Sequence, residues 1–166
     1  RIWDTMSTTL PESDATSDTT SDGTAFDVTG AQRAPVMVLI HGLGLCRRLW
    51  DDHLPAFAAR YRVVRYDLYG HGDSAPSPQA PSLAVYARQL GSLLEHIGVA
   101  SAVIVGFSIG GMINRRFAMD YPNRVAALVI LNSPHDRGSA AQAAVEARAA
   151  AVRDEGRMAT MDAALE

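Results

Sequence analysis

Ala102-Val103-Ile104-Val105-Gly106-Phe107-Ser108-Ile109-Gly110-Gly111 is the stretch whose reading decides the fold. Its apolar, largely β-branched start predicts a buried strand. The strand runs without a spacer into Gly-x-Ser-x-Gly, and a helical pattern follows from Ile109 and stops before Pro122. A strand-to-helix turn this tight holds the serine in strained backbone geometry with its hydroxyl exposed. Gly106 and Gly110 remove the side chains that would clash there. The helix that follows presents its N-terminal amides and positive dipole end to negative charge developing at the serine. Ser108 is therefore the candidate nucleophile.

Moving outward, the same alternation recurs. Val36-Met37-Val38-Leu39-Ile40 is an unbroken apolar run ending at His41-Gly42, as expected of a parallel strand buried on both faces. Leu49, Trp50, His53, Leu54 and Phe57 follow helical spacing. Tyr61–Tyr66 reads as a strand, and the Gly-, Pro- and Ser-rich segment from Asp67 to Pro81 reads as a loop. Ser82 is placed to N-cap a helix whose Leu83, Ala87, Leu90, Leu94 and Ile97 form one stripe ended by Gly98. Val125–Leu131 is a further strand. Strands alternating with helices predict an α/β fold: a mostly parallel sheet with helices on both faces.

The two ends differ from this body. Residues 1–22 are rich in Ser, Thr and Asp, with little to bury, and read as a disordered leader. Structure is expected from about Gly23, with a short strand over Thr24–Val28. Residues 23–135 are expected to form the core and 136–166 the start of a helical lid, cut within its pattern. Ser139–Arg153 is alanine-rich and helical in spacing, Gly156 interrupts it, and Met158, Met161 and Leu165 begin a new pattern.

A tetrahedral acyl intermediate carries an oxyanion that needs about two preorganised N–H donors. His41-Gly42-Leu43-Gly44 ends an earlier strand, where such an architecture supplies one donor. The backbone amides of Leu43 and Ile109 are the candidate pair. His41 precedes this turn and reads as a structural histidine rather than a general base. His71, in Asp67-Leu68-Tyr69-Gly70-His71-Gly72-Asp73-Ser74, reads the same way, and with Asp67 it is expected to brace the turn. His53 and His96 lie on helices and carry no assignment.

Together His-Gly-Leu-Gly, Tyr-Asp-Leu-Tyr-Gly-His-Gly-Asp-Ser, Gly-Phe-Ser-Ile-Gly-Gly and Tyr121-Pro122-Asn123-Arg124-Val125 resemble the α/β-hydrolase superfamily over roughly Gly23–Pro134. Leu49-Trp50, Gly110-Gly111-Met112-Ile113 and Leu131-Asn132 are most similar to its 3-oxoadipate enol-lactonase branch, although Tyr69 stands where many members carry arginine. The resemblance implies a triad in the order Ser, Asp or Glu, then His. By that order the acid and base lie beyond residue 166. His135 comes too early for the base, and Asp136 follows a strand that ends in Asn132 rather than aspartate.

The implied parent activity is hydrolysis of a small-molecule carboxylic ester or lactone through an acyl-enzyme. Without its base the chain alone is expected to be nearly inactive. Carbon–carbon bond hydrolase, cofactor-free perhydrolase or haloperoxidase, acyltransferase and a non-catalytic fold, either a binding protein or a gene fragment, are the other readings. Ser108 argues against the haloalkane dehalogenase and epoxide hydrolase branches, which use aspartate there.

Composition narrows the setting. The chain has 166 residues, 48% hydrophobic and 20% charged, with a formal net charge of −3, so it gives no electrostatic case for nucleic acid or an anionic membrane. No apolar run is long enough to span a bilayer, and no signal pattern opens the chain. Cys46 is the only cysteine, which excludes an internal disulfide and suits a reducing, cytoplasmic compartment. No metal or organic cofactor is implied. Val125–Leu131 is expected to be an exposed apolar edge, a site of self-association.

Overall fold

The computed structural model describes residues 16–136 and 138–155. Its elements, in chain order, are β1 (Thr16–Thr19), β2 (Ala25–Thr29), β3 (Val36–Ile40), a 3-10 turn over Arg47–His53, α1 (Leu54–Ala58), β4 (Arg62–Tyr66), α2 (Leu83–His96), β5 (Ala102–Phe107), α3 (Ile109–Asp120), β6 (Val125–Leu131) and α4 (Gly138–Glu155). The strands form one sheet in the order β1-β2-β4-β3-β5-β6. β3 pairs in parallel with β4 and β5, and β5 with β6, while β1–β2 and β2–β4 are antiparallel. Parallel pairing of β3, β4 and β5 points their C-terminal ends the same way. The loops after β3 and β4 and the Ser108 turn after β5 therefore leave one edge of the sheet.

Alternation along each strand divides the apolar residues between two faces. Val38, Ile40, Val64, Tyr66 and Ile104 pack with Leu90, Leu93 and Leu94 of α2 and Ile113 and Phe117 of α3. Met37, Leu39, Val63 and Val105 face the other way, against Trp50, Leu54 and Phe57. Helices thus cover both faces. The cap of α2 is the expected one, with the Val85 amide donating to Ser82 Oγ at 3.3 Å. The helix expected from Leu49 is divided, because Pro55 lacks the N–H that a continuous helix would use, so a 3-10 turn precedes the short α1.

The expectation of an unstructured leader to Asp22 is corrected over residues 16–22. Thr16 to Thr19 pair with Val28 to Ala25. Ladder bonds come from backbone groups, and an edge strand tolerates polar side chains on its wet surfaces. The turn into β2 is locked by the Asp22 carboxylate, which accepts from Thr20 Oγ1, from Thr24 Oγ1 at 2.9 Å and from the Thr24 amide at 3.3 Å. Burial works against that charge, but hydrogen bonds from Thr20, Tyr69 and Thr24 hold its pKa below the usual carboxylate value. Residues 1–15 lie outside the described residues.

At the opposite edge, β6 has the sequence of an interior strand, yet Leu128, Val129, Ile130 and Leu131 are exposed. Residues 134–166 cluster as a unit of their own, in which α4 occupies the expected helical stretch. The pattern expected from Met158 onward lies outside the described residues.

Candidate active site

Ser108 stands between β5 and α3 with φ 54° and ψ −115°, in a region that L-residues with side chains rarely occupy. Two backbone bonds fix it there: its amide donates to Leu131 O at 3.0 Å, and its carbonyl accepts from the Gly111 amide at 3.0 Å. The chain can turn so sharply only because both flanking glycines are bare. A Cβ on Gly106 would lie 2.2 Å from Gly110 O, and one on Gly110 would lie 2.6 Å from Ile40 O and 2.9 Å from His41 O. The second contact also brings the start of α3 against the end of β3, where the His41 turn begins. The half-buried Ser108 makes no side-chain capping bond to its own helix.

His41 is fully buried, and both ring nitrogens are engaged. Nδ1 meets Gly42 O at 2.7 Å and so carries the proton, while Nε2 accepts from the Leu68 amide at 3.0 Å and so carries none. Burial, opposed by the Gly42 bond, lowers its pKa below 6.5 and keeps it neutral. A ring with no free nitrogen cannot take a proton from serine. His41 instead ties Gly42 to the loop after β4. Beyond Gly42, Leu43 is 56% exposed, and the turn is closed by the Leu45 amide donating to Gly42 O at 3.2 Å. His71 rests its ring 5.3 Å from that of His41, with Nδ1 3.1 Å from Tyr69 O.

Asp67 is fully buried and forms the centre of a charged cluster that the sequence did not reveal. Oδ1 accepts from the Arg47 amide at 2.7 Å and Oδ2 from the Asp73 amide at 3.0 Å; the Arg47 guanidinium also grips Oδ2. The same guanidinium reaches Asp27 Oδ2 at 3.1 Å and Asp73 Oδ2 at 2.9 Å. Arg65 meets Asp27 at 2.8 and 3.0 Å, extending the cluster across β2 and β4. Burial works against the Arg47 cation, but Asp67 and Asp73 outweigh it and raise its pKa. A cleft of about 260 Å³ is lined by Cys46, Arg47, Arg48, Asp67, Gly72 and Asp73, and not by Ser108, Leu43 or Ile109.

Three other polar residues escaped the sequence reading. Gln89 Nε2 donates to Asp67 O at 3.1 Å and to Thr24 Oγ1 at 3.2 Å, while its Oε1 accepts from the Tyr69 amide at 3.2 Å. Asn114 Nδ2 donates to Val129 O at 3.0 Å, joining α3 to β6. Arg124 donates to Val99 O at 2.9 Å and Gly91 O at 3.3 Å, tying the turn before β6 to the end of α2. Only Arg124 carried a signal, as part of the Tyr-Pro-Asn-Arg-Val motif. Asp136 Oδ1 accepts from the Gly138 amide at 3.0 Å, at the start of α4. Phe26 abuts His96 at 5.7 Å, and Trp50 abuts His53 at 6.1 Å, both as ring contacts. Among the described residues, no three His, Cys, Asp or Glu side chains converge as metal ligands, and no helix is long and apolar enough to cross a membrane.

The family model described as alpha/beta hydrolase fold matches residues 35–166. A protein named "Putative carbamate hydrolase RutD" from Klebsiella pneumoniae is 39% identical over 110 residues, which cover 63% of this chain and 41% of that protein. Epoxide hydrolase 4 of Mus musculus is 34% identical over 108 residues, covering 64% of this chain and 30% of its own. Among solved structures, a hydrolase from Pseudomonas aeruginosa superposes with a TM-score of 0.77 at 32% identity, over 92% of this chain and 57% of that one. The chain thus spans about two fifths of the length of the Klebsiella relative.

Proposed function

The chain belongs to the α/β-hydrolase family, and from that premise we propose that it carries the nucleophile and oxyanion donors of a serine hydrolase acting on small-molecule carboxylic esters or lactones. The observation that carries this reading is the Ser108 backbone, held at φ 54° between a strand and a helix that two bare glycines allow to meet. A strained, backbone-fixed serine at the start of a helix is poised for attack on a carbonyl carbon.

In the proposed reaction Ser108 Oγ bonds to the carbonyl carbon while its proton passes to a histidine. The carbonyl electron pair moves onto oxygen, which accepts hydrogen bonds from the Leu43 and Ile109 amides. Collapse expels the alcohol, which takes the proton back from the histidine, and leaves an acyl-serine. Water then repeats the sequence and releases the acid. The histidine and its orienting acid are proposed to follow Glu166, in the family's order. A carbamate carbonyl, of the kind named for the Klebsiella relative, offers the same electrophile. Ser108 separates this chain from the epoxide chemistry named for the mouse relative, since the family resemblance implies an aspartate nucleophile for that chemistry.

Reaction of the full-length protein with a fluorophosphonate, followed by peptide mapping, tests the reading. Label is expected on Ser108 and nowhere else, and Ser108→Ala is expected to lower ester turnover by about four orders of magnitude. A folded protein that leaves Ser108 unlabelled overturns it.

A further inference from the structure

We infer that Arg47 is a positioning residue for the Leu43 amide, holding the far end of the turn that carries it; this rests on the proposed role of Leu43. The turn from His41 to Arg47 is anchored at both ends on adjacent residues of the loop after β4. At its start, His41 Nε2 takes the Leu68 amide at 3.0 Å. At its finish, the Arg47 amide donates to Asp67 Oδ1 at 2.7 Å, and its guanidinium holds Oδ2 of the same carboxylate. Between these anchors Leu43, Gly44 and Leu45 are exposed, and the backbone bond closing the turn is the 3.2 Å contact from the Leu45 amide to Gly42 O. The direction of the Leu43 N–H is therefore set from the ends.

The finish is the more elaborate anchor. Arg47 spreads one guanidinium over Asp67, Asp27 and Asp73, which come from the loop after β4 and from β2. A planar fork can serve three carboxylates at fixed angles, whereas a lysine ammonium acts as a single point charge. Asp67 is itself tightly enclosed: it is fully buried, and a Cβ on Gly72 would fall 2.2 Å from its Oδ2, so the loop backbone packs directly on the carboxylate. An enclosed anchor, joined to a turn with little bonding of its own, fixes the amide before substrate arrives. Preorganisation of this kind is what an oxyanion donor requires.

The test compares Arg47→Ala and Arg47→Lys with the wild-type full-length protein, using Arg116→Ala, an exposed helical pair with Asp120, as the charge-removal control. Active-site titration with a fluorophosphonate normalises each rate to folded sites. Arg47→Ala is expected to lower kcat by about tenfold to a hundredfold with KM unchanged within about twofold, because a misplaced group costs transition-state rather than ground-state contact. The Leu45 amide, which closes the turn on Gly42 O, is expected to exchange hydrogen about tenfold faster, with β3 still protected. Arg47→Lys is expected to recover part of both losses. Unchanged exchange in folded Arg47→Ala, or faster exchange with unchanged kcat, overturns the role. A wild-type protein unlabelled at Ser108 defeats the hydrolase reading and with it the positioning role, while exchange still reports whether the anchor exists.

Discussion

Ser108 and Leu43 stand on neighbouring turns, yet different forces hold them. The Ser108 turn is fixed by backbone alone: two peptide hydrogen bonds and a contact between chain segments too close to admit a Cβ. The Leu43 turn depends on side chains, namely the neutral ring of His41 and the ion pairs of Arg47. Steric constraint is indifferent to charge, pH and salt, whereas a carboxylate–guanidinium cluster responds to all three. The first turn is thus vulnerable to one methyl group and the second to one proton.

The largest effect is expected from Gly106→Ala, which drives a Cβ against Gly110 O. We expect a loss of about 3 kcal/mol or more in urea unfolding, together with loss of fluorophosphonate reaction at Ser108. Wild-type reactivity in this variant would break the contrast at its steric end. Asp67→Asn comes next. It keeps the shape but removes the buried charge facing Arg47, and should cost about 3 kcal/mol in the same measurement, while Ser108 still takes the label, more slowly than in wild type, in molecules that stay folded. A loss of label equal to that of Gly106→Ala would show that the two turns are not held independently.

The smallest effect concerns pH. His41 has a folded pKa depressed below its ordinary 6.5, so as pH falls below that value the unfolded chain takes up a proton that the folded chain refuses. Its contribution to stability is complete above about pH 6.5 and is lost as pH falls toward the folded pKa, at up to about 1.4 kcal/mol per pH unit. Urea unfolding from pH 7 to pH 5 should therefore show a shallower slope in His41→Gln than in wild type. Equal slopes would remove His41 from the account.

The Ser108 turn was legible because each of its determinants is local: an apolar strand, a serine between glycines and a helix, all within a dozen residues. The charged cluster was not. Asp67 and Asp73 were read as parts of a loop motif, but nothing in the chain near Arg47 indicates that it faces them, 20 and 26 residues on, or Asp27, 20 residues back. Gln89 was hidden for the same reason, since its partners Thr24 and Asp67 become neighbours only when α2 packs on the sheet. Thr16–Thr19 misled in the opposite direction, because edge pairing draws on backbone groups that every sequence possesses.

By itself the sequence determined most of the strands and helices from β2 onward, that the sheet is mostly parallel, and where the Gly-x-Ser-x-Gly turn falls, since periodicity and glycine placement act over a few residues. Tertiary structure alone decided that Arg47 meets three carboxylates, that both nitrogens of His41 are engaged, and that a polar N-terminal stretch closes one edge of the sheet. Those outcomes depend on which distant groups the packed strands bring within hydrogen-bond reach, and a linear pattern does not carry that information.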